Sequence, residues 1–420
     1  MVPFSSLLNR TKEISGYQFA TFRILFGIYL LLHFIGLLPF GQELFSNTGV
    51  LPDASLNPIY GIFPNILAIL DSPGAVTGLL VMSTLLSVLY TCGILRRTSA
   101  LLLWYCWACL FNRNTLISNP SIPYVGLVLL FSALLPPGEP LRLHRAGPDA
   151  RFFWPAGIYW SAWFLLAAGY TYSGIVKLSS PSWVDGTALV HLVNNPLARP
   201  GIFRDLFLLL PAWIHHAMTW SVLALEVLFL PLSVHRWTRA GVWCGMLAMH
   251  LGILLMVNFA DLSFGMVLIH LFTFDPDWLP IVHTSGRRIV FYDGVCGLCD
   301  RTVQFLVGID THDVLHFAQL QGETAKRYVP EDGPSPIDKK SVIYVRENGA
   351  TVVSYRSDAI LSILSDLGGF WRLVSFARIV PRSLRHAVYN WIARNRYRWF
   401  GKYDACRIPG PEERKKFLAD

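Results

Sequence analysis

Residues 292–299 read Tyr-Asp-Gly-Val-Cys-Gly-Leu-Cys, and this octet decides the fold of the C-terminal part of the chain. Before it, residues 288–292 are rich in β-branched and aromatic side chains, which favours a short buried strand. After it, apolar residues between positions 302 and 309 recur at helical spacing. The pattern therefore places the pair Cys296 and Cys299 at the N-terminus of a helix that follows a strand.

A Cys-x-x-Cys pair at a helix N-terminus has a defined chemistry. Unpaired backbone N–H groups and the helix dipole stabilise an anion there, so the first thiol ionises more readily than a free cysteine. In this arrangement Cys296 attacks a disulfide and Cys299 resolves the mixed disulfide that forms. The expected partner is a disulfide or dithiol protein, and the chemistry requires neither a metal nor an organic cofactor.

The residues that follow complete a small α/β unit. Residues 314–318, 341–346 and 351–355 have strand character, and the last two runs are joined by the turn sequence Glu-Asn-Gly. The order strand, helix, strand, hairpin and helix is typical of a thioredoxin-like domain, predicted here over residues 286–420.

The same region resembles the DCC family of predicted thiol-disulfide oxidoreductases. The resemblance begins with Asp293, Gly294, Cys296 and Cys299, and it continues through Val-Pro-Arg at 380–382, the run at 392–401, and Cys406 before Pro409. It implies a catalytic Cys296 and Cys299. For Asp293 it leaves two roles open, proton transfer to or from Cys299 and stabilisation of the tight turn.

Two features bear on how this domain works. Thioredoxin-like folds place a cis-proline before the third strand, but the nearest proline here is Pro336, so substrate docking is expected to differ.

The alternative to a redox pair is half of a zinc site, with Cys406 and His312 or His316 as further ligands. Within residues 286–420, no second closely spaced cysteine pair supports that alternative.

The first 283 residues have the composition of a membrane protein. The whole chain is 53% hydrophobic and only 15% charged, which is too apolar for a soluble enzyme. We predict about eight helices, a bundle of multiple membrane spans. The apolar runs are 17–38, 74–95, 98–117, 123–136, 156–178, 211–234, 239–258 and 262–279.

The distribution of charge predicts the orientation of this bundle. Clusters such as Arg96 with Arg97 and Arg287 with Arg288 fall on one side, whereas the loop 39–73 has no lysine or arginine. By the positive-inside rule the C-terminal thiol domain faces the cytoplasm, and the expected location is a bacterial inner membrane. The first apolar run is too long for a cleaved signal peptide and is counted as the first span.

Ionisable residues inside the apolar runs are candidates for function. Arg23 and Arg113 are expected to pair with Glu226 or with carbonyl groups and so fix helix packing. Lys177 differs because it ends a span, within the stretch from Tyr170 to Leu178, and a lysine at a desolvated rim can act as a base.

The stretch around Lys177, followed by Trp183, resembles the HTTM family, the bacterial relatives of vitamin K-dependent γ-carboxylase. The resemblance implies that Lys177 is a base assisted by His250, with a quinone or vitamin K-like lipid as the cofactor. A further histidine of the carboxylase is absent near Asn119. The resemblance therefore leaves quinone binding open and does not favour carboxylation.

Two further features have competing interpretations. Cys106 and Cys109 lie on one face inside a span, where they could relay electrons to a quinone or simply pack. Residues 378–407 interleave basic and aromatic side chains, which suits either an anionic membrane surface or a helix packed on its own domain. Nucleic acid is not an expected partner of a chain tethered to a membrane.

These observations give one main hypothesis and two alternatives. The main hypothesis is a membrane-anchored thiol-disulfide oxidoreductase that uses Cys296 and Cys299. The first alternative is a quinone-linked or lipid-linked membrane enzyme centred on Lys177, with the thiol domain as electron donor. The second alternative is a redox-sensing membrane scaffold or transporter.

Overall fold

The computed structural model describes residues 11–12, 14, 16–143, 154–258, 260–278, 286–310, 313–329, 341–403 and 414–418. The chain divides into two compact units, Met1–Asp275 and Pro276–Asp420. The sequence predicts a boundary between residues 283 and 286. Residues 279–285 lie outside the described part of the chain.

The described part of the N-terminal unit is helical, and eight helices coincide with the eight apolar runs. They are α1 Gly16–Leu37, α2 Pro73–Cys92, α3 Arg96–Arg113, α4 Ser121–Leu134, α5 Ala156–Lys177, α6 Ala212–Val227, α7 Arg236–Met256 and α8 Ala260–Thr273. Shorter elements complete the unit. They are the helices Gly41–Phe45, Pro181–Val184, Ala188–Asn194, Ile202–Leu208 and Phe229–Leu232, and the antiparallel strand pair Thr11–Lys12 and Trp154–Pro155.

Local sequence signals explain where a helix such as α2 begins and ends. Ser72 precedes it, and its hydroxyl accepts a hydrogen bond from the backbone N–H of Ala75 at 3.4 Å. Pro73 occupies the first turn, where the missing N–H has no cost. The helix stops at Gly93, whose φ of +70° is the left-handed conformation that glycine adopts readily.

Three of the described helices are long and apolar enough to cross a membrane, namely α1, α2 and α7. Helix α6 with Ile202–Leu208 passes the same test as a pair but is bent by 109°. Helices α4 and α8 have 14 residues each, a length of about 21 Å against the ~30 Å of a bilayer core. A membrane association is therefore indicated, while a bundle of eight spans stays a prediction.

The buried arginines of this unit are held by polar partners. Arg23 is fully buried and donates to the carbonyl oxygen of Tyr90 at 3.0 Å, and Arg113 pairs with Asp71 at 3.3 Å. The expectation that they fix packing through carbonyls and an acidic residue agrees with these contacts. The acidic partner differs from the expected Glu226, which pairs with another residue described below.

The C-terminal unit contains a four-stranded mixed sheet of β1 Arg288–Tyr292, β2 His316–Gln319, β3 Ile343–Asn348 and β4 Ala350–Tyr355, in the spatial order β2-β1-β3-β4. Strand β1 is parallel to β2 and antiparallel to β3, and β3 and β4 form a hairpin that turns at Gly349, φ +75°. Its helices include α9 Gly297–Ile309, α10 Glu323–Tyr328, α11 Arg356–Leu367 and α12 Arg382–Phe400. The segment Gly369–Ile379 forms 3₁₀ turns before α12.

Apolar and polar contacts both hold this sheet together. Its core includes Ile289, Phe291 and Ile343, each with no exposed surface. Asp366 of α11 accepts hydrogen bonds from Arg288 of β1 at 2.9 Å and from the Tyr344 hydroxyl of β3 at 2.7 Å. This carboxylate therefore ties one helix to two strands, and burial beside it raises the pKa of Tyr344.

Candidate active site

Cys296 caps the N-terminus of α9 with its own sulfur. Its backbone is extended, at φ −92° and ψ 118°, and Sγ accepts a hydrogen bond from the backbone N–H of Cys299 at 3.4 Å. An N-cap position normally carries an oxygen-bearing side chain because the first helical N–H groups need an acceptor. A thiolate at this position fulfils that role, so the helix stabilises the ionised form of Cys296.

The two thiols differ strongly in acidity. A hydrogen bond with Cys299 lowers the pKa of Cys296 to about 6, and the positive charge of Arg396 acts in the same direction, whereas burial opposes it. The hydrogen bond to Cys296, together with burial, raises the pKa of Cys299. Near neutral pH the pair therefore consists of one thiolate and one thiol, which is the state required for attack by the first sulfur.

Asp293 joins the loop before the cysteines to helix α12. Its Oδ2 accepts hydrogen bonds from Arg396 Nη2 at 2.7 Å and from the Tyr397 hydroxyl at 2.5 Å. Its Oδ1 accepts from Gln321 Nε2 at 3.2 Å and from the backbone N–H of Val295 at 3.3 Å. The contact with Val295 is the turn geometry that the sequence allows for Asp293, and proton transfer by Asp293 stays a prediction.

A short segment after α12 covers the cysteine loop, and we call Gly401–Tyr403 the C-terminal strap. The N–H of Gly297 donates to the carbonyl of Gly401 at 3.2 Å, and the N–H of Tyr403 donates to the carbonyl of Val295 at 2.9 Å. Lys402 pairs with Cys296 in an antiparallel bridge. Cys296 has no exposed surface and Cys299 is 6% exposed, so a substrate disulfide reaches the sulfur only after the residues around it rearrange.

Gly297 is required at its position by this close approach. A Cβ added to Gly297 would collide with the backbone carbonyl oxygen of Phe400. A backbone atom cannot rotate away as a side-chain tip can, so a larger residue here would displace the strap.

The position before strand β3 differs from that of a proline-containing thioredoxin-like site. Val342 has a backbone N–H, which donates to the hydroxyl of Tyr389 on α12 at 2.9 Å. Burial raises the pKa of Tyr389, so the hydroxyl stays neutral and continues to accept this bond. Pro336, the proline nearest to this strand in the sequence, lies outside the described residues.

The alternative zinc site involves residues that are only partly described. His312 and Cys406 lie outside the described residues, and His316 lies at the start of β2. Within the part of the chain that the structure describes, no group of three or more His, Cys, Asp or Glu residues is arranged to hold a metal.

The sequence-predicted residues of the N-terminal unit, Lys177, Trp183 and His250, all have polar or aromatic partners. Lys177 pairs with Glu226 at 2.6 Å, and its Nζ lies over the ring of Trp183 at 4.5 Å from the centroid. His250 is buried and shares a 2.8 Å hydrogen bond with the hydroxyl of Tyr170. Tyr170 and Lys177 are two helical turns apart on α5.

The sequence interpretation missed three contributors to these sites: Arg396, Tyr397 and Glu226 as a partner of Lys177. Arg396 is 103 residues from Asp293 along the chain, so no local pattern joins them. Arg396 and Tyr397 do lie inside the run 392–401 that carries the family resemblance. That resemblance is a signal in the sequence that could have identified Arg396 and Tyr397 as part of the site.

Comparisons with known proteins concern the C-terminal unit. The family model for the DCC1-like thiol-disulfide oxidoreductase matches residues 290–402. The uncharacterized protein YuxK of Bacillus subtilis is 37% identical over 132 residues, which cover 31% of this chain and 94% of that protein. A chloroplastic DCC family protein of Arabidopsis thaliana is 34% identical over 123 residues, 29% of this chain and 70% of that protein.

No solved structure matches the chain significantly. The match to the B. subtilis protein covers nearly all of that relative. The region matched by the family model contains the last three residues of β1, the cysteine loop, Arg396 and most of the strap. Through its C-terminal unit, this chain belongs to the DCC family of thiol-disulfide oxidoreductases.

Proposed function

We propose that this protein is a membrane-anchored thiol-disulfide oxidoreductase in which Cys296 is the attacking thiolate and Cys299 the resolving thiol. The observation that carries the proposal is the capping of α9 by the Cys296 sulfur, with the lowered pKa that follows. Family membership supports the reaction class, and the three apolar helices support the anchor.

The reaction proceeds in two exchanges that conserve electrons. The Cys296 thiolate attacks one sulfur of a substrate disulfide, the substrate S–S bond breaks, and the departing thiolate takes a proton from water. Cys299 then loses its proton and attacks the Cys296 sulfur, which releases the second substrate thiol. The substrate gains two electrons, and the protein is left with a Cys296–Cys299 disulfide that an external dithiol must reduce.

The pKa difference between the sulfurs changes as the reaction proceeds. In the resting pair, the hydrogen bond to the Cys296 thiolate keeps the proton on Cys299. Once Cys296 is part of a mixed disulfide, its negative charge is gone, so the pKa of Cys299 falls and the resolving thiolate forms. Asp293, held by Arg396 and Tyr397, lies at the same loop, and we propose it as a route for that proton.

The N-terminal unit is proposed as an HTTM-like membrane domain that keeps the thiol domain at the cytoplasmic face. The charge distribution supports this orientation. Several short helices and the bent pair fit a unit in which some elements are buried between others rather than each spanning the bilayer.

The test uses the intact chain purified in detergent. We expect a reversible two-electron couple for Cys296 and Cys299, and a stable mixed disulfide with a model substrate when Cys299→Ser removes the resolving thiol. Cys244→Ser, at an exposed cysteine of α7, is the matched control. A stoichiometric metal on both sulfurs, or a chain without any couple, would disprove the proposal.

A second candidate function rests on the Lys177 ion pair. A lysine and a glutamate at 2.6 Å, beside Trp183, form a polar group at the end of an apolar helix, where such groups are costly to maintain. This group would fit a quinone or vitamin K-like lipid, whose carbonyl oxygens accept hydrogen bonds from the ammonium.

Mutations distinguish the two candidate functions. Lys177→Gln with intact thiols should leave thiol-disulfide exchange unchanged under the first proposal and abolish quinone-dependent turnover under the second. Activity that is unaltered in both Lys177→Gln and Cys296→Ser would favour a redox-sensing scaffold or transporter.

A further inference from the structure

The outward face of helix α12 is apolar although it is exposed. We call Leu384, Val388, Trp391 and Trp399 the tryptophan stripe. At 100° per residue these four positions fall within about 80° of one another around the helix. Their exposed fractions are 56%, 51%, 60% and 45% in the same order. A helix packed on its own domain would bury such residues, so the stripe is an unpartnered surface.

The two tryptophans of this stripe lie together. Their ring centroids are 4.8 Å apart in an edge-to-face arrangement. Tryptophan is the residue that concentrates at the boundary between water and lipid, because its ring is apolar and its N–H is polar. A rigid pair of tryptophans on an exposed helix is therefore a typical anchor for a membrane interface.

The sequence segment that carries the stripe contains basic residues and no acidic ones. From Gly368 to Tyr403 the sequence has no aspartate or glutamate. The basic residues in this interval are Arg372, Arg378, Arg382, Arg385, Arg394, Arg396, Arg398 and Lys402. Such a segment attracts an anionic partner through those basic residues that are not paired within the domain.

The basic residues of α12 are divided between the two faces of the helix. On the inner face Arg396 pairs with Asp293 at 2.7 Å and Arg385 pairs with Asp358 at 2.6 Å. On the outer face Arg394 is exposed beside the stripe, as is Arg398. The inner arginines hold the domain together, and the outer ones are directed toward whatever covers the stripe.

We propose that the tryptophan stripe docks on an anionic lipid bilayer surface. The tryptophans would enter the headgroup region, and Arg394 and Arg398 would contact lipid phosphates. A bilayer fits better than nucleic acid, because nucleic acid would leave Leu384 and Val388 in water. The chain also has three apolar helices long enough to cross a bilayer, which would keep this domain near a lipid surface.

This docking would place the redox loop at the membrane surface. The inner face of α12 contacts Asp293 through Arg396, and its C-terminal end continues into the strap that covers Cys296. Helix α12 would therefore contact lipid with its outer face and the loop of Cys296 with its inner face. The docking does not depend on redox activity, so either proposal can fail without the other.

The test places a photo-reactive benzoylphenylalanine at Val388 of the full chain in lipid nanodiscs. We expect cross-links to lipid that increase when one quarter of the phosphatidylcholine is replaced by phosphatidylglycerol. The matched position is Val352 on β4, which is 52% exposed in the same unit and should give few lipid cross-links in either composition.

Charge reversal supplies the second measurement. Arg394→Glu with Arg398→Glu should weaken the docking equilibrium about fivefold or more for each residue changed, as expected when a basic residue near an anionic surface is lost. Lys326→Glu with Arg327→Glu on α10 makes the same change of charge elsewhere in the unit and should leave the cross-linking unchanged.

Three results would overturn the proposal. Equal capture of lipid at position 388 with and without phosphatidylglycerol would show that charge plays no part in the docking. Cross-links to another segment of this chain would identify the stripe as an internal interface, and cross-links to co-purified nucleic acid would identify a different partner.

Discussion

The two closely spaced cysteine pairs of this chain share their spacing and their burial, and they differ in where each pair lies on its helix. Cys296 and Cys299 lie at the start of α9, where Cys296 Sγ accepts an N–H that the helix leaves unpaired. Cys106 and Cys109 are also three residues apart, but they lie in the interior of α3. There the backbone N–H groups are already used within the helix.

The difference shows that spacing alone does not define a redox site. Both cysteines of α3 are buried, at 1% and 0% exposed, and Cys296 is buried as well, so burial does not separate the two pairs. At α9 the helix terminus supplies the donors and Arg396 supplies positive charge. The position of a pair relative to the helix end therefore decides its chemistry.

The largest effect should come from removing the first sulfur of the reactive pair. Cys296→Ser should lower the rate of thiol-disulfide exchange by about a thousandfold or more, because a hydroxyl is hardly ionised at neutral pH. Cys106→Ser in α3 should leave the rate within about twofold. The measurement is the exchange rate of the intact chain with a model disulfide.

A loss of exchange in Cys106→Ser that matches the loss in Cys296→Ser would contradict this comparison. It would instead support a relay of electrons through the cysteines of α3. Thermal unfolding of both variants shows whether each one is still folded.

The pH dependence of exchange should follow the ionisation of Cys296. The thiolate is the reactive form and the pKa is lowered to about 6, so the rate rises with pH up to about 7 and then levels off. Between about pH 7 and about pH 5 the rate should fall about tenfold, in proportion to the thiolate fraction. Alkylation by iodoacetamide, followed by peptide mass spectrometry, measures this for each cysteine separately.

The cysteines of α3 provide the internal reference for that titration. Cys106 should show no rise in alkylation near pH 6. A midpoint for Cys296 near that of a free cysteine would show that the helix terminus and Arg396 do not activate it.

Removal of the arginine on α12 should have a smaller effect in the same direction. Arg396→Gln deletes a positive charge that favours the Cys296 thiolate and also removes one of the hydrogen bonds to Asp293. If the pKa rises by one unit, the exchange rate at pH 6 falls about fivefold, while the rate at pH 8 changes little. Arg398→Gln, an exposed arginine on the same helix, is the control and should leave the midpoint unchanged.

A structural role for Arg396 alone would give a different result. Exchange would then fall equally at all pH values, and Arg396→Lys would not restore the midpoint. The shape of the profile therefore separates positioning of the loop from stabilisation of the thiolate.

Much of the C-terminal fold could be predicted because its signals are local. The strand at 288–292 was found from β-branched and aromatic residues, the hairpin from Glu-Asn-Gly, and the helix start from its position after the strand. In each of these cases a few neighbouring residues determine the backbone conformation. The prediction that Cys296 lies at the N-terminus of a helix is confirmed by its position before Gly297.

The features that could not be predicted are contacts between segments that are distant in the sequence. Nothing near Asp293 in the sequence indicates that Arg396 and Tyr397 will hold its carboxylate, because that depends on how α12 packs. The pairing of Glu226 with Lys177 rather than with an arginine has the same cause. Composition indicates that buried charges need partners but does not identify them.

The smallest effect is expected from adding one methyl group to the cysteine loop. Gly297→Ala places a Cβ against the carbonyl oxygen of Phe400, so the end of α12 must shift away from the loop, together with the C-terminal strap that follows it. Cys296 has no exposed surface under that strap. Its rate of alkylation at pH 8, where the thiolate is fully formed, should therefore increase about threefold.

Leu298→Ala is the control because it changes the same loop and adds no atom facing the strap. If the strap limits access, the two variants differ at pH 8 although both contain the same thiolate. Equal alkylation in both variants would mean that the strap opens faster than the reagent reacts. In that case the reactivity of Cys296 relative to the cysteines of α3 would come from its ionisation alone, and the strap would serve only to hold α12 against the loop.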